Sequence, residues 1–318
     1  MKENKHAFCT LFDKSYLLKG LALHASLVTH CPSFVLYIFP FDTETYDALN
    51  DMHLKNVVII KQEMFESKDI LTIKESRTPG EYCWTCTPVV IDYIFLNFKE
   101  SQLTYLDADL CFFSNPERIL NELSDSDQVL ITAHNYTKKY DKTKTNGKFC
   151  VQFITFRNTK ESLTILHDWK KMCLDWCYSR KEDGKFGDQK YLDEWPVKYK
   201  GVHIMKHVGG GVAPWNIQQY KFFEDNDSVF VKHQSAIFPL VFFHFHQFII
   251  FEDNSIRYCD YPIPLSSINI IFKHYKIQLI KQAKQVLSIT EDQLKQKKVF
   301  SLKQTIRKFK MLILSLFL

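Results

Sequence analysis

Asp107 and Asp109 stand two residues apart in Thr104-Tyr-Leu-Asp-Ala-Asp-Leu-Cys-Phe-Phe-Ser-Asn-Pro116. In an extended backbone their side chains fall on one face. Two converging carboxylates attract a proton or a hard cation, and Mg²⁺ or Mn²⁺ held there can bridge to a diphosphate. A bare Asp-X-Asp also occurs as a polar turn after an edge strand. Here four strand-like residues precede the pair, and Phe112, Phe113 and Pro116 then turn the chain, a context that favours the metal. Phe242-Phe-His244-Phe-His246 alternates imidazoles with phenyl rings, so a strand would place both histidines on one face. Imidazole suits Mn²⁺ as a ligand beside carboxylates, although a buried histidine is more commonly a hydrogen-bonded core residue. Lys185-Phe-Gly-Asp188-Gln189 offers a helix cap in Asp188 and a neutral amide, Gln189, that can face a sugar. His207-Val-Gly-Gly-Gly-Val-Ala-Pro-Trp215-Asn216 carries three consecutive glycines, centred on Gly210, whose backbone can approach a phosphate or sugar closely. It is neither a Walker loop nor a dinucleotide fingerprint.

Apolar runs 6–12, 34–40 and 57–60 alternate with helical patterns over 15–30, with Ser15 a candidate cap, and 43–52. That alternation predicts a parallel, doubly wound α/β sheet. A helix after Pro88, strands at 103–106, 128–133, 149–156, 202–205 and 240–251, a helix over 161–178 and a hairpin partner at 255–259 complete the expected body. From residue 265 the composition shifts to Lys, Ile, Leu and Gln. Val299, Leu302, Ile306, Phe309, Ile313 and Leu316 recur at helical spacing among basic residues. This predicts two parts, a domain over 1–264 and a basic amphipathic helical tail over 265–318 that lies on an anionic membrane surface or packs on the body.

The 318 residues carry a net charge of +5, but residues 265–318 alone hold eleven Lys/Arg against two acids. The rest of the chain is therefore slightly acidic, which disfavours nucleic acid as a partner. With 46% hydrophobic residues, 27 Phe, 9 Gly and 10 Pro, the chain can bury a core and is neither disordered nor repetitive. Nine scattered cysteines and a polar start with no following apolar stretch point to reduced thiols in the cytoplasm. Cys83-Trp-Thr-Cys86 has metal or redox spacing, but its possible partner pair, Cys173/Cys177, is imperfect for zinc, and buried thiols are the default reading.

Taken together, several segments resemble the GT-A-type nucleotide-diphospho-sugar transferases of bacteria, in a subgroup distantly related to the family-eight retaining enzymes. They are Phe8-Cys-Thr-Leu-Phe-Asp13-Lys-Ser-Tyr16, Glu81-Tyr-Cys-Trp-Thr-Cys-Thr-Pro88, Tyr105-Leu-Asp-Ala-Asp109, Asp183–Asp193, Ala213-Pro-Trp-Asn216 and Phe243-His-Phe-His246. The resemblance runs from about residue 6 to 262. It implies a Rossmann-like, mixed but mostly parallel sheet flanked by helices, and a metal-dependent hexosyltransferase-like activity. The donor would be a UDP-sugar and the acceptor a hydroxyl of a glycan or lipid-linked molecule in surface polysaccharide synthesis, at the inner face of the cytoplasmic membrane. By residue, it implies that Asp107 and Asp109 hold Mn²⁺ or Mg²⁺ with His244, His246 being the close alternative. Asp107 also touches the donor. Thr10, Asp13 and Tyr16 hold the base, Arg77 and Glu81 lie in a donor-touching segment, Gly210 and Trp215 belong to the donor cradle, and Asp188 and Gln189 sit near the reacting carbon. The chain departs from that pattern at Cys150-Val-Gln152, where Asn-X-Gly is usual. It departs again at Ala213, where a diphosphate-binding lysine is usual, and at Gln247, where a glycine is usual. A catalytically inactive nucleotide-sugar-binding protein and a Mg²⁺-dependent nucleotidyltransferase remain the alternatives.

Overall fold

The computed structural model describes residues 5–251 and 255–296. The chain opens with β1 (His6–Phe12), α1 (Leu17–His30), β2 (Phe34–Pro40), α2 (Thr43–Met52) and β3 (Val57–Ile59). It continues through α3 (Pro79–Asn97), β4 (Gln102–Leu106), β5 (Leu110–Phe112), β6 (Val129–Ala133), β7 (Phe149–Arg157), α4 (Lys160–Asp175) and β8 (Val202–Ile204). Seven strands form one sheet in the order β3-β2-β1-β4-β7-β6-β8. Only β7 runs against the rest, pairing antiparallel with β4 and β6. This is the mixed, mostly parallel architecture expected from the sequence. β2 is buried at every position and β1 at all but its first residue. Apolar side chains on both faces explain the unbroken hydrophobic runs, because helices cover the sheet on each side.

Local chemistry sets the helix ends. α3 begins nine residues before the start predicted after Pro88. Thr78 Oγ1 accepts from Glu81 N, Glu81 Oε2 accepts from Thr78 N, Pro79 takes the first turn, and Pro88 is carried inside the helix. Asp13, and not Ser15, caps the short turn Lys14–Tyr16 that leads into α1, accepting from Ser15 N at 2.9 Å. Asp42 caps α2 through Thr45 N at 2.6 Å.

Beyond the main sheet lie elements the periodicity did not reveal. β9 (Lys221–Asp225), β10 (Ser228–His233) and β11 (Ala236–Pro239) form an antiparallel three-stranded meander. The long strand predicted over 240–251 is broken into β12 (Phe242–His244) and β13 (Ile249–Ile250). β12 pairs with β5, and β13 pairs with β14 (Ile256–Arg257). The break falls at Gln247, which adopts φ 62° in the left-handed region. A glycine takes that conformation without steric cost, so the glycine usual there in the resembled family has a backbone reason.

The final described helix, α5 (Lys273–Gln296), belongs to the body over its first half. Ile271, Phe272, Tyr275 and Leu279 pack in one cluster with Ala22, Phe243, Phe245 and Phe248. The boundary expected at 264/265 therefore falls inside a packed unit. The amphipathic stretch Val299–Leu316 lies outside the described residues. No helix among the described residues is long and apolar enough to cross a membrane.

Candidate active site at the end of β4

β4 ends at Leu106, and the chain turns through Asp107-Ala-Asp109 into β5. Neighbouring β7 extends beyond this end, and its Gln152 O accepts the Asp107 amide at 2.9 Å. β12, paired with β5, brings His244 opposite Leu110, and Phe245 N donates to Asp109 O at 2.9 Å. Three segments distant in sequence thus fix one cluster. His244 Nε2 lies 3.0 Å from Asp109 Oδ1 and 3.7 Å from Asp107 Oδ2. Gln152 Oε1 accepts from His244 Nδ1 at 2.7 Å, which leaves Nε2 as the nitrogen facing the carboxylates.

The two carboxylates differ in environment. Burial, with the Asp109 charge adding to it, pushes Asp107 up to about 6. Burial alone would raise Asp109 as well. The hydrogen-bonded His244 and nearby Lys19 hold it instead well below the usual carboxylate range. Lys19 Nζ sits 3.7 Å from Asp109 Oδ2 and 4.1 Å from the Tyr16 ring centroid. His244 is raised in turn, the Asp109 charge outweighing desolvation. The site thus holds a proton and a lysine against its acids, and a divalent cation competes for the same oxygens. Two carboxylates and an imidazole with its free nitrogen turned towards them are a donor set that fits Mn²⁺ or Mg²⁺. Among the described residues, Asp107, Cys150 and His244 bring ligand atoms within 4.8 Å of one another.

The remaining predicted residues fall into two groups. The first surrounds the cluster. Tyr16 is raised chiefly by the Asp109 charge, with burial and Asp107 adding to it, and Lys19 Nζ touches both its ring and Asp109. Asp13 spends its carboxylate on Ser15 but, with Asp107, still acts on the Cys83 thiol, which burial first of all pushes up to about 12. Thr10 is fully buried on β1, and its hydroxyl finds no partner among the described residues. Asp188 is buried, and burial followed by the Asp107 charge raises it well above the usual range. Trp215 stands edge-on to His244 at 5.3 Å and to His246 at 5.6 Å, and its Nε1 donates to His134 O. His246 lies beside His244, with ring centroids 5.6 Å apart.

The second group is spent elsewhere. Glu81 closes the α3 cap and accepts from Ser179 N and Oγ. Arg77 stacks on Tyr178 at 3.8 Å and donates to Leu174 O. Gln189 Nε2 donates to Asn146 O at 2.6 Å, holding the loop before β7. Gly210 N donates to His207 O, and a Cβ there would meet Met205 Sδ at 2.4 Å. Close packing therefore explains the glycine at position 210, whose amide is spent on His207 O. A cleft of about 490 Å³ lies alongside, lined by residues including Thr132, Tyr136, His207, Gly210 and Tyr220 but by neither Asp107 nor Asp109.

Glu81 carries a pH prediction. Four hydrogen bonds to its carboxylate outweigh burial and lower it to about 2, against about 4.3 for an unperturbed glutamate. Its stabilisation is complete above the unfolded value and lost as pH falls towards 2. Glu81→Gln is expected to cost about 1 kcal/mol near neutrality, with the two proteins converging in acid. Urea unfolding at pH 7 and pH 2.5 checks it.

Sequence reasoning gave no site role to three neighbours of the cluster, two of them noted only as a departure from the resembled pattern. Cys150 and Gln152 sit two apart on β7, a spacing that places both on the same face. Lys19 is three residues after Tyr16, one helical step along α1.

No protein-family model matches the chain. The chain is 30% identical to the uncharacterized protein YfnD of Bacillus subtilis (strain 168) over 261 residues, covering 80% of this chain and 81% of that protein. It is 28% identical to the uncharacterized protein YfnF of the same organism over 258 residues, covering 79% and 84%. The chain belongs to the family of YfnD. Among solved structures, it is similar to the galactosyltransferase LgtC in complex with donor and acceptor sugar analogs, at TM-score 0.49 and 12% identity over 75% of this chain and 86% of that one. Mouse xyloside xylosyltransferase 1 gives a TM-score of 0.48 and 12% identity over 82% of this chain and 100% of that one. GlyE of Streptococcus pneumoniae TIGR4 gives 0.42 and 16%, over 64% and 47%.

Proposed function

We propose that the protein is a metal-dependent glycosyltransferase that moves a sugar from a nucleotide-diphosphate donor, a UDP-sugar in the first instance, to a hydroxyl group of a glycan or lipid-linked acceptor. One observation carries the reading. Asp107 and Asp109, from the turn at the C-terminal end of a parallel strand, meet His244, from β12, whose Nε2 lies 3.7 Å and 3.0 Å from them. Ligands of open α/β sheets bind at that edge. In this reading the two carboxylates and His244 Nε2 hold Mn²⁺ or Mg²⁺. The cation supplies Lewis acidity towards the departing nucleoside diphosphate, whose negative charge grows as the glycosidic bond breaks. Tyr16 and Asp13, beside the same carboxylates, face the nucleotide, and Trp215 keeps His244 from turning away.

Asp188 bears on the stereochemistry. An inverting reaction needs a carboxylate base opposite the leaving group. The resemblance to the family-eight retaining enzymes favours retention, with the acceptor hydroxyl attacking from the face the diphosphate leaves. Asp188→Asn is then expected to keep more transfer activity than loss of Asp109 does, and the anomeric configuration of the product by NMR is expected to match the donor. An inverted product, or an Asp188→Asn protein as inactive as one lacking Asp109, overturns the retaining assignment. The excess of lysine after residue 265 supports a place for the enzyme at an anionic inner membrane face, in surface glycan synthesis.

The direct test is a melting-temperature panel of UDP, GDP, CDP and TDP with and without Mn²⁺, followed by donor hydrolysis. Binding to the folded state raises the melting temperature. A Mn²⁺-dependent shift with one nucleoside diphosphate is expected. No shift with any of them would refute the donor assignment.

A further inference from the structure

Cys150 occupies a position no oxygen-only metal site needs. It stands on β7 beside Thr132 of β6, with Gln152 two residues on and facing the same way. Gln152 is fully buried. It fixes the His244 tautomer through Nδ1, while its own Nε2 has no partner among the described residues. The thiol of Cys150, a carboxylate oxygen of Asp107 and a ring nitrogen of His244 lie mutually within 4.8 Å. Asp109 is drawn to the other side of the cluster, between His244 Nε2 and Lys19 Nζ. Two overlapping donor sets result, one of oxygens and nitrogen through Asp109, the other with sulfur through Cys150.

We propose that Asp107, Cys150 and His244 form a sulfur-containing site for a borderline-soft divalent cation of the Zn²⁺ and Co²⁺ class, overlapping the oxygen-rich site. This deepens the metal reading above and rests on it. Mg²⁺ and Mn²⁺ prefer oxygen and gain little from a thiolate, whereas Zn²⁺ and Co²⁺ take S, N and O together. On binding, the thiol gives up its proton to solvent and the sulfur donates to the metal. Affinity rises from Mn²⁺ through Co²⁺ to Zn²⁺ in such donor sets. Zn²⁺ therefore displaces Mn²⁺, the two cations sharing Asp107 and His244 and differing in Cys150 against Asp109.

Cobalt reports sulfur ligation directly. The full chain, reduced and freed of metal, is titrated with Co²⁺ and followed by absorption, and Mn²⁺ binding is followed separately by electron paramagnetic resonance. The wild-type protein is expected to develop a sulfur-to-cobalt charge-transfer band in the near ultraviolet. Cys150→Ser is expected to lack it, and Cys83→Ser, which removes the thiol on the Asp13 side, to keep it. Zn²⁺ affinity is expected to fall on the order of 100-fold in Cys150→Ser, at least as far as when an outer-shell partner of a ligand is removed, with Mn²⁺ affinity little changed. Co²⁺ binding to wild type without the band overturns the proposal, and so does a band that survives in Cys150→Ser. Either result leaves the Mn²⁺ site standing. If wild type binds neither Co²⁺ nor Mn²⁺, both readings fall together. Cys150→Ala, which puts no hydroxyl in the buried position, takes the place of Cys150→Ser if that protein does not fold, with the same outcomes.

Discussion

Asp109→Ala is expected to lower donor turnover by about 10³-fold or more, equivalent to roughly 4 kcal/mol of transition-state stabilisation. The size follows from the position. Asp109 is almost fully buried, accepts from His244 at 3.0 Å and faces Lys19 at 3.7 Å. Its removal would take one carboxylate from the proposed metal site and leave His244 and Lys19 without their common partner. Mn²⁺ affinity should drop with it, which separates loss of the ion from loss of a catalytic contact. Asp109→Asn keeps the shape of the side chain and guards against an effect of misfolding, because it retains a hydrogen-bond acceptor for His244 but not the charge. Turnover is measured as Mn²⁺-dependent nucleotide release, and Mn²⁺ binding by electron paramagnetic resonance. Full turnover in Asp109→Ala would end the assignment.

The second large effect concerns stability. Trp169 is fully buried on α4, stacked on Phe156 at 6.2 Å and edge-on to Trp195 at 5.6 Å. Its Nε1 also donates to Asp188 O at 2.9 Å, so the same ring that fills the core holds the segment bearing Asp188. Trp169→Ala is expected to cost about 3–5 kcal/mol, a large share of the ~5–15 kcal/mol that stabilises a folded domain. Trp169→Phe keeps much of the ring but drops the hydrogen bond, and should cost less. Midpoints of urea unfolding with intrinsic fluorescence or circular dichroism give both values. If Trp169→Ala unfolds within about 1 kcal/mol of wild type, Trp169 is not the anchor described.

Much of the frame was legible in the residues. β1, α1, β2 and α2 could be placed closely because their apolar runs and helical stripes are local signals, read without knowing what they pack against. The Asp107/Asp109 pair was legible as a pair of neighbouring acids, but the extended backbone expected for it is a turn after Leu106, closed by Leu110 N donating to Asp107 O, and both acids meet at His244. Less local features escaped. β9, β10 and β11 carry charged and aromatic residues in short alternations, and their pairing depends on strand partners, not on composition. α3 was predicted to start after Pro88. The start was in fact signalled by Thr78 and Glu81, whose reciprocal hydrogen bonds tolerate the later proline.

What the sequence alone determined is the α/β alternation and the pair of carboxylates that it sets at the tip of β4. Which residues join that tip was decided by the tertiary structure. His244 and Gln152 are 92 residues apart yet share a 2.7 Å hydrogen bond, and Cys150 comes within 4.8 Å of Asp107 because β7 runs antiparallel beyond the end of β4. The same packing withdrew Glu81, Arg77 and Gln189 to hydrogen bonds and stacking of their own. Spacing along the chain fixes only where neighbouring side chains point. Contacts across the sheet depend on strand order and register, which only burial of the whole core selects.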